Sequence, residues 1–162
     1  MPASTDSPLS SAHLMALRKG SALWASYDRV LRDTARTELP RDVDREACRT
    51  ILELIGTIER GDTADPDEAQ LAVRTILGSY PRAHLHDPEV MATMMALVMV
   101  ERAPGIVLMA VDRRKGIPAR CVYPPSIAQM MQIVDEIAGK VTAAGFGARK
   151  GLGLPPAYAD RR

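Results

Sequence analysis

Residues 87–101 read DPEVMATMMALVMVE, and this stretch decides the fold class. Asp87 offers a side-chain acceptor to the free N–H groups of a helix start, and Pro88 fits the first helical turn. Beyond them Val90, Met91, Met94, Met95, Leu97, Val98 and Met99 leave hardly a polar face. A helix apolar nearly all round is usually the one the others cover. The stretch is therefore expected at the centre of a helical bundle, with Met94 and Met95 in the core.

The same device opens the preceding helix. In Asp65-Pro66-Asp67-Glu68 the aspartate caps, the proline starts the turn, and Glu68 stands where it can reach back to the cap's N–H. Ala69, Val73, Ile76 and Leu77 give that helix a buried face, and Gly78-Ser79-Tyr80-Pro81 ends it. Further upstream, Leu14, Leu17, Leu23, Trp24, Tyr27, Val30 and Leu31 recur at helical steps over residues 10–38. Gly20-Ser21 predicts a kink or a break there. Asp42 is the candidate cap of a second helix ending near Arg60-Gly61, with Val43, Ala47, Ile51, Leu54, Ile55 and Ile58 as its stripe. Downstream, Pro104-Gly105 starts a short helix that closes on the basic turn Asp112-Arg113-Arg114-Lys115-Gly116. A linker over 117–123 follows, extended at Cys121-Val122-Tyr123. Pro124-Pro125 launches the last helix on Ile127, Met130, Met131, Val134 and Ile137, with Gly139 as its stop.

Composition agrees with helices. Among 162 residues there are one Trp, one Phe and four Tyr against nine Met, and 46% of the chain is hydrophobic. That share excludes a fully disordered chain. No apolar run approaches the roughly 20 residues that span a bilayer, and residues 1–11 lack the basic-then-apolar pattern of a secretory signal. Two cysteines, Cys48 and Cys121, cannot staple a disulfide framework and suit a reducing, cytoplasmic setting. The expectation is an all-α compact bundle of five or six helices. It divides into a leader (1–10), an N-terminal helical segment (11–60), a helical core domain (65–139) and a flexible basic tail (140–162). The amphipathic stretch 10–31 is a candidate homodimer device. Charge is sorted along the chain: from residue 140 onward five basic residues face one acid, so the rest of this +1 chain carries −3.

Catalysis is not expected. Gly-rich phosphate loops, HExxH, GxSxG and CxxC are all missing. Cys48 lies on the apolar stripe of its helix, as a core thiol would. Cys121 follows Arg120, which lowers a thiol pKa where the thiol is exposed, but no base or orienting group accompanies it. His84-Leu85-His86-Asp87 puts two imidazoles and a carboxylate on one side of an extended segment. The plainer reading is a polar loop whose Asp87 serves as a cap, so neither metal nor cofactor is expected. The remaining lead is basic. Arg113, Arg114, Lys115 and Arg120 cluster at one turn, and Arg149, Lys150, Arg161 and Arg162 stud the C-terminal segment. Without aromatic interleaving, these favour docking on an acidic protein patch, with weak nucleic-acid contact through the tail.

One constellation goes beyond composition. A helix ending Ile76-Leu77-Gly78-Ser79-Tyr80-Pro81 is followed by Asp87-Pro88-Glu89-Val90 opening an Ala-rich helix. Then come a short helix with a basic end and Tyr123-Pro124-Pro125-Ser126-Ile127-Ala128 opening another. This order resembles the small phage-type replisome organisers, the loader-and-inhibitor proteins of the replicative helicase, over about residues 65–139. The matching positions are helix ends and starts, set by proline geometry. Residues 10–60 have no counterpart in that pattern, and the central helix lacks its tryptophan. The resemblance implies an all-helical, non-enzymatic adaptor whose mobile C-terminal segment contacts a hexameric helicase. The alternative is a small helical phage regulatory or packaging protein, or an inhibitor of a host nucleic-acid-binding defence complex.

Overall fold

In a computed structural model the described residues are 11–35, 41–58 and 64–155. They form seven α-helices and no strand: α1 (Ser11–Ala35), α2 (Arg41–Ile58), α3 (Pro66–Leu77), α4 (Pro88–Met99), α5 (Pro104–Val111), α6 (Ile117–Arg120) and α7 (Ile127–Gly151). A 3-10 turn, Arg82–His84, precedes α4. The fold is an all-α bundle. The leader, residues 36–40 and the segment from 156 onward lie outside the described residues, as does the stop at Arg60-Gly61.

Local signals explain the helix starts. Asp65 accepts from the Asp67 N–H at 2.8 Å, and Asp87 from the Val90 N–H at 3.2 Å, each just ahead of a proline in the first turn. Glu68 makes no return bond to the Asp65 cap. The reciprocal box forms instead at α7, where Ser126 accepts from the Gln129 N–H and Gln129 Oε1 from the Ser126 N–H. Residues 117–120, expected as linker, close into the single turn of α6 before Cys121 turns extended.

The centre of the bundle is α5, not α4. Ile106, Val107, Met109, Ala110 and Val111 are all at most 4% exposed, and α1, α2, α3, α6 and α7 all pack on this eight-residue helix. Helix α4 lies against α3 and α7 and buries Ala92, Met95, Ala96 and Met99, while Val90, Met94 and Leu97 face outward. Met95 is thus core, and Met94, expected beside it, is not. Nearly uniform apolarity hides which side of a helix is covered, because no polar stripe marks the other.

Gly20 does not break α1, which runs unbroken for 25 residues. A Cβ there would stand 2.1 Å from the Leu108 carbonyl oxygen. The glycine marks the point where α1 crosses α5 backbone to backbone. Gly105 plays the same part at the end of α2, with Ile58 O at 2.2 Å from its would-be Cβ. Through these crossings Trp24, Tyr27, Ile51, Ile55 and Ile58 enter the same apolar cluster as Val73, Ile76, Met95, Met109, Met130 and Ile137. Residues 11–35 and 41–58 therefore share one core with residues 65–139. Of the α1 stripe expected to pair with a second copy, Leu17, Leu23, Trp24 and Tyr27 pack within the chain, while Leu14 is 46% exposed.

Nor does the last helix stop at Gly139. Helix α7 continues to Gly151, and Val141, Gly145 and Ala148 are buried where a frayed tail was expected. The reason is a stripe of small residues at steps of four, three and three, which lets α7 lie close on α2. Ile55 Cδ1 stands 3.1 Å from a would-be Cβ at Gly145, and Cys48 Sγ 2.7 Å from one at Gly151. Counting branched apolar residues misses such a face, since its burial depends on closeness rather than bulk.

Candidate partner-binding surface

At the C-terminal end of α5 the chain turns through Asp112-Arg113-Arg114-Lys115-Gly116. Asp112 is only 3% exposed, yet its carboxylate is fully engaged. One oxygen accepts the Arg114 and Lys115 N–H groups at 2.9 and 2.8 Å, and the other accepts the Ser21 hydroxyl at 2.6 Å. The Gly116 N–H returns to the Asp112 carbonyl at 2.8 Å. Three donors satisfy a buried carboxylate that would otherwise be costly, and they fix the basic turn to α1.

Trp24 completes that anchor. Its indole N–H donates to the Met109 carbonyl at 2.8 Å, and its ring meets Tyr27 edge-on, with centroids 5.9 Å apart. The Lys115 ammonium sits 5.4 Å from the Trp24 ring centroid and pairs with Asp28. Tyr27 donates its hydroxyl to the Lys140 carbonyl at 3.0 Å, tying α1 to α7. Burial, and secondarily the Asp28 carboxylate, raise the Tyr27 pKa. Between these walls lies a groove of about 590 Å³, with Arg114, Lys115, Arg120 and Lys140 on its rim.

The structure thus brings three of the sequence-singled cations, Arg114, Lys115 and Arg120, to one groove, with Arg113 on the same exposed turn. They are not equivalent. Arg120 donates to the Lys115 carbonyl at 3.2 Å and to Glu136 at 2.7 Å, so it staples α6 to the turn and to α7. Lys115 is held by Asp28 and Trp24. Arg113 and Arg114 are exposed, and among the described residues no acid pairs with either side chain. Arg149 and Lys150 lie two to three turns beyond Lys140, roughly 15 Å along α7. They border a second hollow with Phe146 and Leu154, where Arg149 Nε donates to the Pro155 carbonyl at 2.6 Å. Arg161 and Arg162 lie outside the described residues.

Sequence reading missed the groove's other wall. Trp24, Tyr27 and Asp28 stand at i, i+3 and i+4 on α1, a spacing that places them side by side, but nothing local tells which distant turn they meet. Lys140 reads in sequence as part of the tail, and it joins the groove only because α7 continues past Gly139.

Cys48 is buried against Gly151. Burial pushes the Cys121 thiol up, against a weaker pull down from Arg120, which keeps it protonated at neutral pH. The His84 ring leans on Tyr123 at 5.4 Å, and Asp87 caps α4. Among the described residues no three His, Cys, Asp or Glu side chains converge as metal ligands, and no helix is long and apolar enough to cross a membrane. Comparison with known proteins returned no matching family model, no matching curated protein and no matching solved structure.

Proposed function

We propose that the chain is a non-enzymatic adaptor of phage or prophage type that binds the replicative DNA helicase, as loader or inhibitor, through the basic turn Arg113–Arg114. The observation that carries the reading is the way this turn is built. Two exposed arginines are presented from a backbone pinned by a buried aspartate, beside a groove walled by Trp24 and Tyr27. A recognition element fixed in advance loses little freedom on binding, which favours affinity. Arginine forks suit carboxylate pairs on an acidic protein surface. The helicase as partner rests on the resemblance of the Tyr80-Pro81, Asp87-Pro88 and Pro124-Pro125-Ser126 framework to the replisome organisers.

The test is capture of purified hexameric replicative helicase by the full chain and by the charge-reversed pair Arg113→Glu/Arg114→Glu. Truncation at Gly139 is the wrong tool, since it removes the buried Val141 and Ala148 with the charges. The expected result is capture by the natural chain, weakened at least about tenfold in the reversed pair and by added salt. A natural chain that leaves the helicase uncaptured at low ionic strength sinks the reading. Equal capture by both chains moves the contact off this turn.

A further inference from the structure

The groove beside the basic turn has the size and the charge of a small-ligand site. Its volume of about 590 Å³ lies within the range of such sites. Three elements supply its cations: Arg114 and Lys115 from the turn after α5, Arg120 from α6 and Lys140 from α7. The chain answers only part of that charge. Lys115 pairs with Asp28 and Arg120 with Glu136. Behind the turn the buried Asp112 carboxylate is matched in charge by the exposed Arg113 beside it. Arg114 and Lys140 are left over. Both are exposed, and among the described residues no acid pairs with either side chain.

Two positive charges thus stand uncompensated among the described side chains of one groove. A phosphate group carries about −1.5 to −2 at neutral pH, the matching charge. Lys115 and Arg120 add donors, since each carries more N–H groups than its bonds use. Lys115 stands over Trp24, and Tyr27 bonds the Lys140 carbonyl, so the ring centroids, 5.9 Å apart, separate the two ends of the groove. That is a gap which the long Arg114 and Lys140 side chains can close on one anion. The aromatic walls narrow the ligand further. Trp24 and Tyr27 are 5% and 7% exposed, so neither offers a ring face on which a base could stack. Along α7 no charge occurs between Lys140 and the Arg149-Lys150 pair roughly 15 Å on, whereas a nucleic-acid strand calls for cations repeated along its backbone. We infer that the groove is a binding site for a small phosphate monoester, its phosphate held by Arg114 and Lys140. The inference rests on the groove alone and not on the helicase reading.

Titration of the full chain with inorganic phosphate and with ribose 5-phosphate tests it, in about 0.1 M salt, where charges beyond about 10 Å are largely screened. Calorimetry follows binding, and so does the fluorescence of Trp24, the only tryptophan. Circular dichroism confirms that each variant folds. The natural chain should bind both compounds saturably, one per chain, and ribose, which lacks the phosphate, should not bind. Arg114→Glu and Lys140→Glu should each raise the dissociation constant at least about tenfold. Lys150→Glu, the same charge change on α7 outside the groove, should alter it less than about twofold. Absence of saturable binding by either compound overturns the inference, as does binding indifferent to Arg114→Glu and Lys140→Glu. Equal weakening by Lys150→Glu reduces the effect to net charge and overturns it too. A single-stranded oligonucleotide that displaces ribose 5-phosphate, and whose own binding Lys150→Glu weakens, assigns the groove to a nucleic-acid backbone and refutes the small ligand. No helicase enters these titrations, so their failure leaves that reading to its own assay.

Discussion

Substituting Val141 by alanine tests whether the Gly- and Ala-rich segment after Gly139 belongs to the core. Val141 is 1% exposed in α7. The change deletes two methyl groups, at about 0.8 kcal/mol each for transfer out of water. A void of a few tens of Å³ adds roughly 0.7 kcal/mol at ~24 cal/mol per Å³. Alanine's better helix propensity returns about 0.5 kcal/mol. The net loss is about 2 kcal/mol, which for a chain of this length lowers Tm by roughly 4–8 °C. Thermal unfolding followed by circular dichroism at 222 nm, ~10 °C above and below the midpoint, reads this directly. Thr142→Ala, one residue on and exposed, should stay within about 0.5 kcal/mol of the natural chain. Equal, negligible shifts for both would refute the packing of α7 on α2 and return residues 140–151 to a frayed tail.

Further expectations concern the anchors. Trp24→Phe removes the bond to the Met109 carbonyl and leaves a smaller ring beneath Lys115, and should cost about 1.5–3 kcal/mol. The denaturant midpoint must be read by circular dichroism, since the only tryptophan is gone. Asp112→Ala strands the Ser21 hydroxyl and two backbone N–H groups and should cost roughly 2–4 kcal/mol by the same measurement. Tyr80→Phe goes the other way. Its hydroxyl is buried and has no partner among the described residues, so its loss should be neutral or stabilising by up to about 1 kcal/mol at neutral pH. Burial, and secondarily Cys121, push the Tyr80 pKa up to about 12. The folded chain keeps that proton while the unfolded chain releases it near the ordinary value of 10.0. Stability from this group is thus full below pH 10 and falls as pH rises toward 12. Denaturant titration across that window should show a shallower alkaline loss in Tyr80→Phe.

Where the chain announces structure locally, the sequence is legible. The caps Asp65 and Asp87, the prolines behind them and the basic turn after α5 are each settled within four residues, and each lies where it reads. What depends on distant partners is not. Gly20 reads as a breaker until Leu108 is known to lie across it, and Gly145 reads as a linker until Ile55 is known to press on it. Met94 and Met95 are equal in sequence and opposite in burial, because only the position of α3 and α7 distinguishes them. The candidate site divides the same way. Its cations cluster along the chain, whereas Trp24, Tyr27 and Asp28 reach them from more than eighty residues away.

The bond from Trp24 to Met109 spans 85 residues. A ribosome adding about 5–20 residues per second needs roughly 4–17 s between the two. For that interval α1 leaves the tunnel with its aromatic face uncovered, and α2 can only partly shield it. Neither helix has its full partner until α5, and then α7, have emerged. The aromatic face of α1 therefore stays uncovered until the residues of α5 and then α7 have been made. Nascent chains stalled before residue 104 should be the ones that chaperones retain.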